Sequence, residues 1–274
     1  EMALPEFEAS TTHFVKSNPK SLSQTQQLER LHLLGRAWWF LEDITRAAET
    51  WEKYFYYSHS IIPEDALRLK IQLATRFQKD KNYAQAEKWY GRITKDHPGS
   101  ELAISSFFWT AEMAYAKTVK QEKAKELNSN SVKALVKQYQ QYLNKNDNEH
   151  LALTYYRIGV LQRFHQPNKS IFAFNQYIST KDETYLNEVL YQLGYLYIET
   201  KYFKNAINSF EEYLSKGYKT HADEVQYQLG ILYIKNKRPR KAIAVYEQYL
   251  AGEVKEHTAI THLSLGSLYL ETKQ

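Results

Sequence analysis

The sequence repeats itself at a fixed interval. Gly194, Gly230 and Gly266 lie 36 residues apart, each preceded by a leucine (Leu193, Leu229, Leu265) and followed three residues on by a tyrosine (Tyr197, Tyr233, Tyr269). A period of this length, with two short helical stretches per unit, leaves each unit unable to bury its apolar face alone. Neighbours must then stack in series as an α-solenoid.

Each residue type in the repeat has a packing reason. In YQLGYLY the first leucine and the last tyrosine lie four apart on one helical face, and the glycine between them sits where another helix passes close. Glycine inside a helix costs about 0.5–1 kcal/mol relative to alanine, and close contact offsets that cost. The second stretch of each unit carries a small residue (Ala206, Ala242), an aromatic four later (Phe210, Tyr246) and a tyrosine three beyond (Tyr213, Tyr249). That is one stripe of a helix.

The order Leu-Gly, Tyr, Ala, aromatic resembles the tetratricopeptide repeat. Walking towards the N-terminus, Leu73-Ala74, Phe77, Ala86, Tyr90 and Pro98 form one further unit, and Leu34-Gly35, Trp38, Ala47, Trp51 and Tyr54 another. Ile158-Gly159 with Ser170, Phe174 and Tyr177 is one residue short at its turn near Pro167. The least regular unit has Ala111 in place of the glycine and reaches its aromatics late, at Tyr139 and Tyr142. The resemblance implies an all-α fold, a right-handed α-α superhelix (TPR solenoid), with units at 28–66, 67–100, 101–151, 152–186, 187–222 and 223–258 and a half-unit at 259–274.

Residues 1–27 read as a degenerate helical segment, in which Phe7, Phe14 and Pro19 match the end of a preceding unit and Ser21 or Ser23 caps the next helix. Leu270-Glu271-Thr272-Lys273 repeats Ile198-Glu199-Thr200-Lys201 with no second helix after it, so a fragment of a longer protein is expected. Pro63 fits a first helical position, and Ser100 a cap. The insertion from Lys117 to Ser131, with Lys120, Lys123 and Lys125, reads as an extended helix and solvated loop. A basic contact for an acidic partner is the sharper reading.

Chemistry-bearing motifs are missing. With no cysteine there is no disulfide framework or thiolate metal site. The 9 histidines include no HExxH pattern, and His257 and His262 are spaced wrongly for one helical face. There is no glycine-rich phosphate loop and no G-x-S-x-G, and acidic pairs such as Glu211-Glu212 read as solvated surface. No enzyme activity, cofactor or metal is therefore expected. No apolar run reaches the eighteen residues of a membrane span. A pI of about 9.0 with many aromatics admits nucleic acid, but a net charge of +5 from 36 basic and 31 acidic residues is mild, so RNA is disfavoured.

The family resemblance places ligands on the concave side, lined by the first helix of each unit. Carried onto this sequence, the inward positions are His32, Arg36 and Trp39, then Tyr156 and Arg157, Tyr191 and Tyr195, Tyr227 and Ile231. Tyr156, Tyr191 and Tyr227 recur at one place and should form a ladder suited to peptide recognition. The positions of a carboxylate clamp hold His32, Arg36, Gln72, Thr75, Tyr191, Tyr195, Gln228 and Ile231, without the asparagines such a clamp needs. The expected role is an interaction scaffold for a protein or peptide partner, with a homo-oligomer left open. The LG-x-LY units are also similar to those of bacterial envelope scaffolds, which favours a periplasmic over a cytoplasmic setting.

Overall fold

A computed structural model of the chain describes residues 22–58, 63–121, 126–251 and 256–272. Phe7, Phe14, Pro19, Ser21, Lys123 and Lys125 lie outside the described residues. Among the described residues helices are the only regular element. The first hairpins are α1 (Gln24–Phe40) with α2 (Ile44–Ser58), and α3 (Pro63–Lys79) with α4 (Tyr83–Asp96). Then come α5 (Glu101–Gln121), packed mainly on α4, and α6 (Ser129–Leu143). Three further hairpins follow: α7 (Leu151–Gln162) with α8 (Pro167–Ser179), α9 (Leu186–Glu199) with α10 (Phe203–Ser215), and α11 (Ala222–Lys235) with α12 (Pro239–Leu250). Helix α13 (Thr258–Thr272) packs on α12. The chain divides into two compact units, one holding the described residues up to Leu127 with Lys133–Asp147, the other Asn128–Val132 with those from Asn148 onward.

Local chemistry sets the helix ends. Ser23 forms a capping box at α1: its Oγ accepts from the Gln26 N–H at 3.3 Å while its own N–H donates to Gln26 Oε1 at 2.9 Å. Asn82 Oδ1 caps α4 and Ser100 Oγ caps α5, each accepting the N–H three residues on. Pro63, Pro167 and Pro239 each open a helix, where the missing N–H costs nothing. Four hairpins turn through a left-handed residue, Glu42, Lys81, Lys201 or Lys237, with φ of 60°, 57°, 64° and 54°. In each, the next N–H closes back across the turn, as Tyr202 N–H does to the Tyr197 carbonyl at 2.8 Å. The shorter α7–α8 turn has no such residue, and Gln166 N–H bonds the Gln162 carbonyl instead.

The repeated glycine is a seat for an aromatic ring from the second helix of its own hairpin. A Cβ added at Gly194 would lie 2.1 Å from Phe210, at Gly230 1.9 Å from Tyr246, at Gly159 2.4 Å from Phe174 and at Gly35 2.1 Å from Trp51. Gly266 departs from the expectation that a helix passes close to it. Nothing lies within 4 Å of that position, because no second helix follows α13 among the described residues.

Within the second unit, tyrosine hydroxyls tie each hairpin to the next. The tyrosine three residues after the glycine reaches back to the preceding second helix: Tyr197 Oη accepts from Asn175 Nδ2 at 3.0 Å, Tyr233 donates to Glu211 and Tyr269 to Glu247. The tyrosine closing each second helix reaches forward. Tyr177, Tyr213 and Tyr249 each accept the backbone N–H eight residues later, from Tyr185, His221 and His257, at 2.8, 3.1 and 3.2 Å. These N–H groups sit at helix starts, which have no intrahelical acceptor. Glu211 corrects the sequence reading of solvated acids: it accepts from Tyr233 and from Lys241 Nζ at 2.8 Å, and those contacts hold its carboxyl below the usual range despite burial.

Candidate functional site

Helices α7, α9 and α11 present the ladder tyrosines at one repeating position, three residues before the glycine seat. All three are half-buried. Tyr156 stacks on Tyr185 at 4.2 Å between centroids and 10° between planes, while Tyr191 and Tyr227 stack on His221 and His257, each at 4.1 Å and 20°. The lower ring is in each case the residue whose backbone N–H donates to the tyrosine closing the preceding hairpin. The ladder is therefore fastened to the start of the next hairpin.

Between α9 and α11 the arrangement gains a carboxylate. Tyr191 donates to Glu224 Oε2 at 2.8 Å and Tyr195 to Glu224 Oε1 at 2.5 Å, with the two rings edge to face at 5.0 Å. Burial first, and then the Glu224 charge, push the Tyr191 hydroxyl up to about 12, and the same causes raise Tyr195 further. Both phenols thus remain donors across the physiological range. Ile231, at the place of Tyr195 in the next hairpin, is half-buried and supplies no hydroxyl. Arg157 lies with its guanidinium 6.0 Å from the Tyr156 ring.

The first unit differs. His32 takes the ladder position, with Nδ1 3.3 Å from Asp65 Oδ2, an approach too poorly aligned for a hydrogen bond, and its ring edge-on to Tyr54 at 5.4 Å. Burial holds its pKa below the usual 6.5, with Asp65 opposing and Arg36 and Arg68 adding to the shift. Arg36 is exposed, and Trp39 packs 5.8 Å from Trp51 with the Arg76 guanidinium 6.0 Å away. The nine positions expected to line a binding face accordingly fall into two groups, one in each compact unit.

Sequence reasoning passed over Glu224 and the ring residues beneath the ladder. A signal was present, since Tyr185, His221 and His257 keep the same interval as the glycines.

The tetratricopeptide repeat model matches residues 188–215 and 223–251, the α9–α10 and α11–α12 hairpins. These two hairpins are tetratricopeptide repeats. No curated protein sequence matches the chain. Solved structures similar to this chain include a MamA protein (13% identity, covering 67% of this chain and 90% of that one, TM-score 0.48). A tetratricopeptide repeat protein from Parabacteroides merdae matches at 14% identity over 90% of this chain and 88% of that one, TM-score 0.45. The hetero-tetramer Cut9-Hcn1 of the APC/C matches at 15% identity over 97% of this chain and 46% of that one, TM-score 0.39. Tetratricopeptide repeats support a general role in protein interaction. No helix among the described residues is long and apolar enough to cross a membrane.

Proposed function

We propose that the protein is a non-enzymatic scaffold whose second unit holds a peptide segment of its partner along the Tyr156, Tyr191 and Tyr227 ladder, so assembling a multiprotein complex. The observation that carries this reading is the repeated stack beneath the ladder. Each ring is fixed by a neighbour before any ligand arrives, so little rotamer freedom is left to lose on binding. Tyrosine adds a broad apolar body with a polar tip, the combination enriched where binding energy concentrates. The likeness of the LG-x-LY units to bacterial envelope scaffolds extends the proposal to cell-surface or motility assemblies.

Peptides selected from a display library against the wild-type protein provide the test. Tyr191→Ala with Tyr227→Ala is expected to weaken the selected peptides at least tenfold while helicity is retained. Unchanged binding, with loss instead on altering residues 126–131 of the insertion or the outward second helices, would move the site off this face.

A further inference from the structure

We infer that the turn between α11 and α12 is a docking site, separate from the ladder, for an acidic polypeptide segment of a partner, one with consecutive aspartate or glutamate residues. Lys235, Lys237, Arg238, Arg240 and Lys241 all fall within residues 235–241, with no acid among them. The other turns that pass through a left-handed residue mix their charges, with Glu42 and Asp43, Asp80 or Glu199 beside the cations. All five cations of the α11–α12 turn are exposed. Among the described residues only Lys241 of the five has an ion pair, to Glu211 at 2.8 Å, and Tyr233 donates to the same carboxylate. Arg238 acts on Glu211 from farther off. Lys235 lies 5.6 Å from the Phe203 ring centroid, a contact that leaves its charge in place. Like charges gathered this closely repel one another and oppose folding, and an anionic ligand relieves that repulsion.

The cations also border a defined space. Arg238, Arg240 and Lys241 line a cleft of 440 Å³ whose remaining walls are Pro239 and Thr272. Thr272 Oγ1 donates to the Leu268 carbonyl at 2.7 Å, so the wall from α13 is uncharged. Two guanidinium groups, one on either side of Pro239, thus border one cleft. The planar fork of arginine matches a carboxylate with two parallel hydrogen bonds, and such charge-assisted bonds are about twice as strong as neutral ones. Lys235 and Lys237, in the preceding residues, extend the positive field to the next carboxylates of the same segment.

The surroundings favour a polypeptide over a nucleic acid. A phosphate backbone follows a basic groove through several nucleotides, with bases stacked on aromatic rings. Here Glu199 and Glu271 hold the place of Lys235 on the hairpins to either side, so the basic stretch stops at one turn. No residue lining the cleft is aromatic.

A five-residue peptide of alternating glutamate and aspartate, carrying a neutral dye and read by fluorescence anisotropy, provides the test. Saturable binding below one millimolar is expected at low salt, and no binding of the counterpart built from glutamine and asparagine. Physiological salt, which screens charges beyond about 8 Å, should weaken it at least threefold. Arg238→Gln with Arg240→Gln should weaken it at least tenfold. Lys133→Gln with Lys137→Gln removes equal charge from exposed sites on α6 and should change it less than twofold. Tyr191→Ala with Tyr227→Ala should leave it intact, which separates this turn from the ladder. If the arginine pair fails to fold, Lys235→Gln with Lys237→Asn decides, since asparagine tolerates the left-handed backbone at 237; that pair should cost at least threefold. Absence of saturation at millimolar peptide, equal binding of the neutral counterpart, an equal loss in the α6 pair, or tighter binding of an oligouridylate of matched charge overturns the inference.

Discussion

Alanine at Gly194 and at Gly266 should change stability in opposite directions, although both glycines follow leucine in the same repeated motif. At Gly194 the new Cβ would fall 2.1 Å from Phe210, whose ring is fully buried. Ordinary carbon contacts begin near 3.5 Å, so ring or helix must retreat by more than an ångström inside packed surroundings. Overpacking of this kind costs about 1–3 kcal/mol. Removing a helical glycine returns about 0.5–1 kcal/mol. The net expectation for Gly194→Ala is about 1–2 kcal/mol of destabilisation, and Gly230→Ala should behave alike, with its Cβ 1.9 Å from Tyr246. At Gly266 nothing lies within 4 Å, so only the propensity gain remains and Gly266→Ala should stabilise by about 0.5–1 kcal/mol. Urea midpoints at constant slope measure the difference. A neutral or stabilising Gly194→Ala would refute the account of this glycine as the seat of a buried ring.

Two other perturbations test the links between hairpins and the charge of the first unit. Tyr213→Phe and Tyr249→Phe keep the ring but leave the His221 or His257 N–H without its acceptor; each should cost about 1–3 kcal/mol by urea denaturation, with helicity unchanged. Burial first, and then nearby cations, hold His32 and His97 below the usual 6.5; for His97 the cation is Lys70, whose Nζ lies 3.1 Å from its Nε2. A histidine whose folded pKa is lowered binds its proton more readily when unfolded, so stability is full above 6.5 and is lost as pH falls towards the folded values. Thermal melts should therefore fall between pH 7 and 5, and His97→Gln should flatten part of that slope. Glu52 and Glu211, held below 4.5, stay ionised in this window and do not contribute.

The architecture was legible because the same spacing recurs: the glycine interval implied paired helices, and the unit one residue short at Pro167 is the hairpin that turns without a left-handed residue. The structure adds what lies between units. That Tyr213 reaches the N–H of His221, or Tyr195 the carboxylate of Glu224, depends on how one hairpin rolls against the next, and intrahelical periodicity carries no such information. Glu211 was misread for this reason, since its partners Tyr233 and Lys241 come from the following hairpin. The open side of Gly266 is likewise invisible in a motif identical to that of its covered counterparts.

The abundance of tyrosine follows from the same geometry. A solenoid has no single core to hold distant parts together, so its cohesion rests on each interface between neighbours. Phenylalanine fills such an interface but leaves the N–H groups at each helix start unsatisfied. Serine or threonine caps them but buries little apolar area. Tyrosine does both, spanning from the end of one hairpin to the start of the next with a fully buried ring and a hydroxyl at its far edge, as Tyr177 and Tyr213 do. The ladder inherits this order, because the residue whose N–H is captured is also the ring on which Tyr191 or Tyr227 lies. Stability of the interface and readiness of the binding face are thus set by the same contacts. Loss of a hydroxyl at position 213 or 249 should loosen the ladder ring above it as well as weaken the fold.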